Sequence, residues 1–412
     1  MKSIVIKDNK FKSVFVSVNL LLPLVKEDMS KNALIAMVLK KSSKKYGTEK
    51  ELERKLAKLY NASLRVNVEK YAKYYNIEFG IEVINKKYID NDVLEEALNV
   101  LKEIIYNPNI KNEAFDKTLV EREKEGLINI INEQKDQKRT YAINKVEEYL
   151  FENEDYGYPL LGKEEDYEKI DENILYEYYK KLLEIAKIKV IVNGNLDGYE
   201  DIEEKIEDIF NVKNSEDKIT HEEIEISKVD EPKIYIENQD ISQSVLTFGI
   251  RLLNLKKEEI YKAVVLNAIL GGTPSSKLFQ NIREKQSLAY FAKSMYNKQK
   301  NAICIAAGIE PKNYLKAKEL IQKEIEDLIN GNITDEEFIT ARDYIVSTYK
   351  EIKDSKAGYA KFILANSILY DEIVDLEDII KEIQELQKED VLKIATKINV
   401  QTIFLLGGRE ND

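Results

Sequence analysis

The sequence predicts an α+β protein built as two tandem homologous domains, each a mixed or antiparallel β-sheet packed with α-helices. Three observations carry this expectation. The chain has 412 residues, more than a single hydrophobic core usually serves, so two domains are the natural division. Its halves repeat one order of elements: strand, helix, glycine-containing turn, helix, two strands, long helix, further helices and a closing strand. Short identical stretches recur between the halves at a nearly constant offset, which is the mark of an internal repeat. The domains are placed at residues 1–212 and 228–412, and the polar stretch 213–227, which has no sustained period, is taken as the linker.

Each copy opens on a strand-like apolar run bounded by polar residues, Phe15 to Pro23 and Ser244 to Asn254. A helix follows. Its apolar stripe is Ala33, Met37 and Val38 in the first copy, and Ile260, Tyr261, Val264, Val265, Ala268 and Ile269 in the second. Both helices are expected to close at glycine, Gly47-Thr48 or Gly271-Gly272-Thr273, with glycine in the left-handed conformation and threonine capping the next helix. That next helix, ELERKLAKLYNA or SSKLFQNIREKQ, leads into two strands, the second carrying Gly80-Ile81-Glu82 or Gly308-Ile309-Glu310. A long helix follows each, with Leu94, Ala97, Leu98, Leu101, Ile104 and Ile105 on one apolar face, and Leu320, Ile321, Ile325, Leu328 and Ile329 on the other. The pattern N-x-N-I-x-x-E-x-F then occurs twice, as Asn107, Asn109, Ile110, Glu113, Phe115 and as Asn330, Asn332, Ile333, Glu336, Phe338, and reads as a turn before a helix start. The closing strands begin at Lys187 and Val400.

Composition narrows the function. The formal net charge of -12 opposes non-specific attraction to nucleic acid or anionic lipid, and no basic cluster reverses it locally. The N-terminus lacks the apolar core of a signal peptide and no later stretch approaches a membrane span, so a cytoplasmic protein is expected. The single cysteine, Cys304, sits in an apolar run and is expected to be a buried hydrophobe. The single histidine, His221, lies in the linker beside glutamates without a second imidazole and is given no role.

Gly271 to Tyr290 reads as half of an active site: a Gly-Gly turn, an amphipathic helix, then Arg283 and Tyr290 seven residues apart. With its two tandem α+β domains and this helix-to-strand segment, the chain resembles the M16 (insulinase, mitochondrial processing peptidase) metallopeptidases over nearly its whole length. The turn Tyr158-Pro159-Leu160-Leu161-Gly162 and the stretch from Tyr178 agree with that resemblance. Such enzymes hold zinc through H-x-x-E-H on a helix, whose glutamate is the general base. Here the corresponding helix, Asn32 to Lys41, has neither histidine nor carboxylate, and the position of the further carboxylate ligand falls at Asn129. One histidine excludes a two-histidine site under any alignment, so no metal is expected on this chain.

The resemblance implies that Arg283 and Tyr290 face a zinc site held elsewhere. They would hold the scissile carbonyl and stabilise the oxyanion. Gly271, Gly272 and Thr273 would handle substrate, although a plain helix end also accounts for the glycines. The implied protein is the non-catalytic subunit of a two-subunit zinc peptidase, inactive alone, with zinc and H-x-x-E-H in a homologous partner or, failing that, self-association. Against this stand bland readings, with Arg283 complementing a helix dipole or pairing with Glu284, and Tyr290 packing as one of 25 tyrosines. The alternative function is a catalytically inactive homologue that binds peptides or scaffolds another enzyme in peptide maturation or protein modification. A self-contained enzyme is disfavoured, since no nucleophile with its base stands out.

Overall fold

The computed structural model describes residues 3–210, 226–370 and 372–407. The proposed linker 213–227 and His221 lie almost wholly, and in the case of His221 entirely, outside the described residues. In chain order the first half comprises β1 (Ser3–Lys7), β2 (Ser13–Pro23), α1 (Met29–Leu39), α2 (Glu49–Lys58), β3 (Ser63–Tyr71), β4 (Tyr74–Ile84), α3 (Leu94–Tyr106), β5 (Ile110–Lys111), β6 (Ala114–Phe115), α4 (Lys117–Asp136), α5 (Lys138–Leu150), α6 (Glu164–Tyr167), α7 (Glu172–Ile185), β7 (Lys187–Gly194) and α8 (Ile202–Phe210). The second half comprises β8 (Lys233–Asn238), β9 (Ser244–Leu252), α9 (Ile260–Asn267), β10 (Ala289–Asn297), β11 (Ala302–Ile309), α10 (Tyr314–Ile329), α11 (Asp335–Ile352), α12 (Lys356–Tyr370), α13 (Leu376–Glu385), α14 (Lys388–Ala395) and β12 (Ile398–Gly407).

The duplication is plain in the sheets. One five-stranded sheet runs β1-β7-β2-β4-β3 and the other β8-β12-β9-β11-β10, the same order of equivalent strands. In each, the outermost opening strand pairs parallel with the closing strand, β1 with β7 and β8 with β12, while the remaining pairs are antiparallel. The central strands β2 and β9 are buried along almost their full length, which explains why they read as near-continuous apolar runs instead of alternating ones.

The compact units do not follow the sequence order throughout. Unit one holds residues 1–132, 158–220 and 353–371, and unit two holds 133–157, 221–352 and 372–412. Each sheet is therefore covered on one face by a helix from the other half of the sequence. In unit one, α12 lies over a polar sheet face: Ser17, Asn19 and Asn76 are buried there, Asn76 Nδ2 donates to Asn19 Oδ1 at 3.1 Å, and Lys189 Nζ donates to Ser367 Oγ at 3.1 Å. Lys356 pairs with Glu82 at 3.0 Å and Lys361 with Glu69. In unit two, α5 covers an apolar face where Ala142 and Val146 meet Val245, Cys304, Phe404 and Leu406. Burial pushes the Cys304 thiol well above its ordinary value.

The segment after α5 is fastened within unit two by one half-buried carboxylate serving two buried cations. Glu154 accepts from Arg251 Nη1 at 2.9 Å and pairs with Lys300, both of whose side chains are about 5% exposed or less. Burial works against the Glu154 charge, yet the two cations prevail and hold its carboxyl below the usual range. At Lys300 burial prevails over the bond to Glu154 and lowers proton affinity, and the positive charge of Arg251 adds to it.

Two expectations about local structure are corrected. The glycine pair Gly271-Gly272 does not take the left-handed conformation, nor does Gly47; among the described residues the positive-φ glycines are Gly162, Gly194, Gly198 and Gly331. The threonine at the first turn does cap as expected, since Thr48 and Glu51 form a capping box on α2. The repeated N-x-N-I-x-x-E-x-F pattern folds in two ways. Asn107 and Asn330 each end a long helix, but Phe115 then lies in the small β5–β6 hairpin while Phe338 lies inside α11. The cap position decides this. Thr334 exchanges hydrogen bonds with Glu337 to start α11 at once, whereas the matching residue in the first copy is Lys111, and α4 waits for Asp116, which accepts from Leu119 N at 2.9 Å.

Candidate functional site

The segment from α9 to β10 departs from regular backbone three times in succession. First, α9 widens into a π-turn over Ala268–Gly272. Gly271 makes this possible: a Cβ there would lie 2.5 Å from the backbone nitrogen of Ser294 on β10, so only glycine lets the helix end press against the strand. Ser294 Oγ donates to Asn267 O at 3.2 Å across the same junction. Gly271 and Thr273 are buried and Gly272 is exposed. Thr273 turns inward, donating to Ala268 O at 3.3 Å and lying 3.2 Å from Ser275 Oγ, while its carbonyl accepts from Ser276 Oγ at 2.6 Å.

Second, the following helix is π-helical over Phe279–Lys285, where Arg283 sits. Its inner side is anchored by Lys277, which is buried and pairs with Glu337 at 2.8 Å, and by Asn281, which donates to Glu324 at 2.9 Å. Burial pushes the Glu324 carboxyl up. Arg283 is on the outer side, 43% exposed, with its guanidinium 4.6 Å from the Phe279 ring centroid and its Nε 3.6 Å from Glu284. The contact with Glu284 is long and exposed, so it holds the guanidinium loosely.

Third, Ser287 takes a left-handed φ of 51°, and the N–H groups of Ser287 and Leu288 return to the carbonyls of Arg283 and Ile282 at 3.1 and 3.0 Å. This turn delivers the chain into β10 through a bulge. Ala289 pairs with Ile309 and Phe291 with Gly308, so Tyr290 is the extra residue without an opposite number. It is 52% exposed, unlike the buried Leu288 and Ala289 before it. π-turns and β-bulges each insert an extra residue into a ladder and re-aim a side chain, and both are common beside functional sites. Arg283 and Tyr290 thus stand on the second and third of these irregularities. Sequence pattern had picked out both residues but held no signal for the π-turn or the bulge.

The helix α1 carries neither histidine nor carboxylate. Where a metal-binding helix would stand, α1 presents Asn32, fully buried, whose Oδ1 accepts from Tyr178 Oη at 2.9 Å. Asn129 on α4 is exposed. Among the described residues no group of three or more His, Cys, Asp or Glu side chains is placed to hold a metal ion, and an amide-to-phenol bond in the core of α1 is no donor set for zinc. The turn Tyr158 to Gly162 exists: Gly162 has a φ of 75°, its N–H returns to Pro159 O at 2.9 Å, and a Cβ on it would lie 2.7 Å from Ser30 Cβ at the start of α1. Among the described residues no helix is long and apolar enough to cross a membrane.

Comparison with known proteins agrees with this geometry. A family model described as the peptidase M16 inactive domain matches residues 169–345. A probable inactive metalloprotease, YmfF, of Bacillus subtilis is 29% identical over 412 residues, covering 98% of this chain and 95% of that protein. A non-peptidase homolog, YmxG, of Helicobacter pylori is 23% identical over 332 residues, covering 77% of this chain and 73% of its own. A crystal structure of a conserved protein from Enterococcus faecalis superposes with a TM-score of 0.90 at 26% identity, covering 100% of this chain and 97% of that one.

Proposed function

We propose, because this chain belongs to the M16 peptidase family and to its inactive, non-catalytic type, that it is the substrate-binding subunit of a two-chain zinc peptidase. A partner carrying H-x-x-E-H supplies the metal, its water and the general base, and this chain supplies Arg283 and Tyr290. In the cytoplasm the pair takes peptides. The guanidinium and phenol receive the scissile carbonyl and stabilise the oxyanion as the partner's water attacks. Gly271, Gly272 and Thr273 serve the same substrate by setting where β10 begins.

The observation that carries the reading is the placement of Arg283 and Tyr290, both exposed, on a π-turn and a β-bulge. A surface built only to fold has no need of either irregularity. The second reading, a peptide-binding or scaffolding homologue without chemistry, draws on the name of the non-peptidase relative from Helicobacter pylori.

One assay separates them. Peptide hydrolysis is followed with this chain alone, with an H-x-x-E-H homologue from the same source alone, and with both. The split site requires activity in the mixture that neither chain has alone. Arg283→Ala and Tyr290→Phe should each lower kcat in the mixture about 100-fold or more, the scale of losing one oxyanion donor, without dissociating the complex. A mixture no faster than the homologue alone would leave the scaffold reading in its place.

A further inference from the structure

Beyond Tyr290, Lys293 of β10 and Arg139 of α5 form a pair of cations without an ion-pair partner among the described residues. Phe291 and Lys293, two apart on a strand, share one sheet face. Gly308 of β11 stands opposite Phe291, and a Cβ there would lie 2.4 Å from Phe291 Cε1, so the ring lies down across bare backbone. Arg139, in the first turn of α5, holds its guanidinium 4.4 Å from the centroid of that ring. The ammonium of Lys293 is partly buried and its proton affinity is lowered, first by burial and then by the positive charge of Arg139; the remaining group acting on it is the Cys304 thiol. Among the described residues neither cation forms an ion pair. Arg139 is exposed and Lys293 partly buried, and in a chain with 75 acidic residues the two like charges stand together with no carboxylate paired to either, so an incoming carboxylate would meet both.

We propose that Arg139, Phe291 and Lys293 form a carboxylate-binding site on the edge strand β10, which takes the acidic group of an extended peptide whose carbonyl is held at Arg283 and Tyr290. Arg139 supplies planar paired donors, Lys293 a point charge, and the Phe291 ring an apolar floor for the carbon chain that bears the carboxylate. A strand rises about 3.3 Å per residue, which puts Lys293 about 10 Å along β10 from Tyr290. A peptide lying extended beside β10 therefore brings its carboxylate some three residues from the carbonyl at Tyr290. The registration to Arg283 and Tyr290 rests on the function proposed above; the carboxylate site itself stands on the charge arrangement.

The test is fluorescence anisotropy of the full chain with four labelled decapeptides of one sequence, carrying Glu or Gln at one position and a free or amidated C-terminus. At least one acid-bearing peptide should bind about tenfold or more tightly than the neutral one at low salt, a preference that fades as salt rises. Which acid matters tells a side chain from a C-terminus. Arg139→Gln with Lys293→Gln should remove the preference and leave the neutral peptide unchanged, with circular dichroism and melting checking the fold. Arg139→Glu with Lys293→Glu should turn the preference toward a peptide bearing Lys at that position. Four peptides binding alike, no peptide binding, or a preference that survives charge removal would overturn the site. Arg283→Ala in the same titration separates the two proposals: an intact acid preference with hydrolysis in the mixture also unchanged removes the split site and leaves the carboxylate site standing.

Discussion

Glu154→Gln should be among the most costly conservative changes in unit two. The carboxylate is shared by Arg251 and Lys300, whose side chains are 4% and 5% exposed, and both cations also lie over the Phe151 ring, at 4.7 and 5.6 Å. Removing the one negative charge leaves two buried positive charges facing a neutral amide. Breaking a buried pair on one side costs about 3–5 kcal/mol, and Glu154 is partly open to solvent, so about 3 kcal/mol is the working figure. A domain of roughly 150–250 residues loses about 2–4 °C per kcal/mol, and unit two should melt about 6–12 °C lower in scanning calorimetry. Lys300→Met gives the contrast. It leaves Arg251 and Glu154 as a balanced pair and removes an ammonium that burial already disfavours, so it should cost distinctly less than Glu154→Gln. The pH dependence has a definite sign. The folded-state pKa of Glu154 is lowered, so its stabilisation is present above the unfolded carboxylate value of about 4.3. It is lost as pH falls through the lower folded value, where wild type and Glu154→Gln should converge. A Glu154→Gln protein that melts with the wild type near neutral pH, or one milder than Lys300→Met, would refute the account of one acid holding two cations.

Gly271→Ala should disturb the site more than Gly272→Ala: the first Cβ meets Ser294 N at 2.5 Å, which cannot yield, whereas the second meets the movable Asn267 Nδ2 at 3.0 Å and Asn267 O at 3.1 Å, which a few tenths of an ångström relieve. Expected is a loss of about 2 kcal/mol or more at Gly271 and clearly less at Gly272 by chemical denaturation, with a matching difference in peptide binding; equal effects would mean that the close approach to β10 does not matter. Cys304, buried with its thiol pushed up, should react with a maleimide slowly in the native protein and completely once unfolded, and prompt labelling of the native chain would show that α5 opens from its sheet.

What could be read in the sequence divides along a physical line. Strand runs such as Ser13–Pro23 and Ser244–Leu252 announce themselves because burial on both faces writes a continuous apolar string. The repeated Gly-Ile-Glu was also legible, and the structure supplies its cause: Gly80 makes room for the ring of Phe15, as Gly308 does for Phe291. Local signals end where the same letters meet a different cap, as the two copies of N-x-N-I-x-x-E-x-F show. The exchange of α5 and α12 between the units was not legible at all, because neither helix has a strongly one-sided apolar pattern and the strands each covers lie from about one hundred to nearly three hundred residues away. Arg283 and Tyr290 stand out in the sequence by register, whereas the π-helical segment and the bulge on which they sit do not. The π-turn that ends α9 rests on a close contact, Gly271 on Ser294, between residues whose identities are ordinary. A bulge needs one unmatched residue in a pairing that only the fold defines. The same limit hid Arg139 and Lys293, since their shared lack of an acid is a property of two elements brought together, and neither element carries it alone.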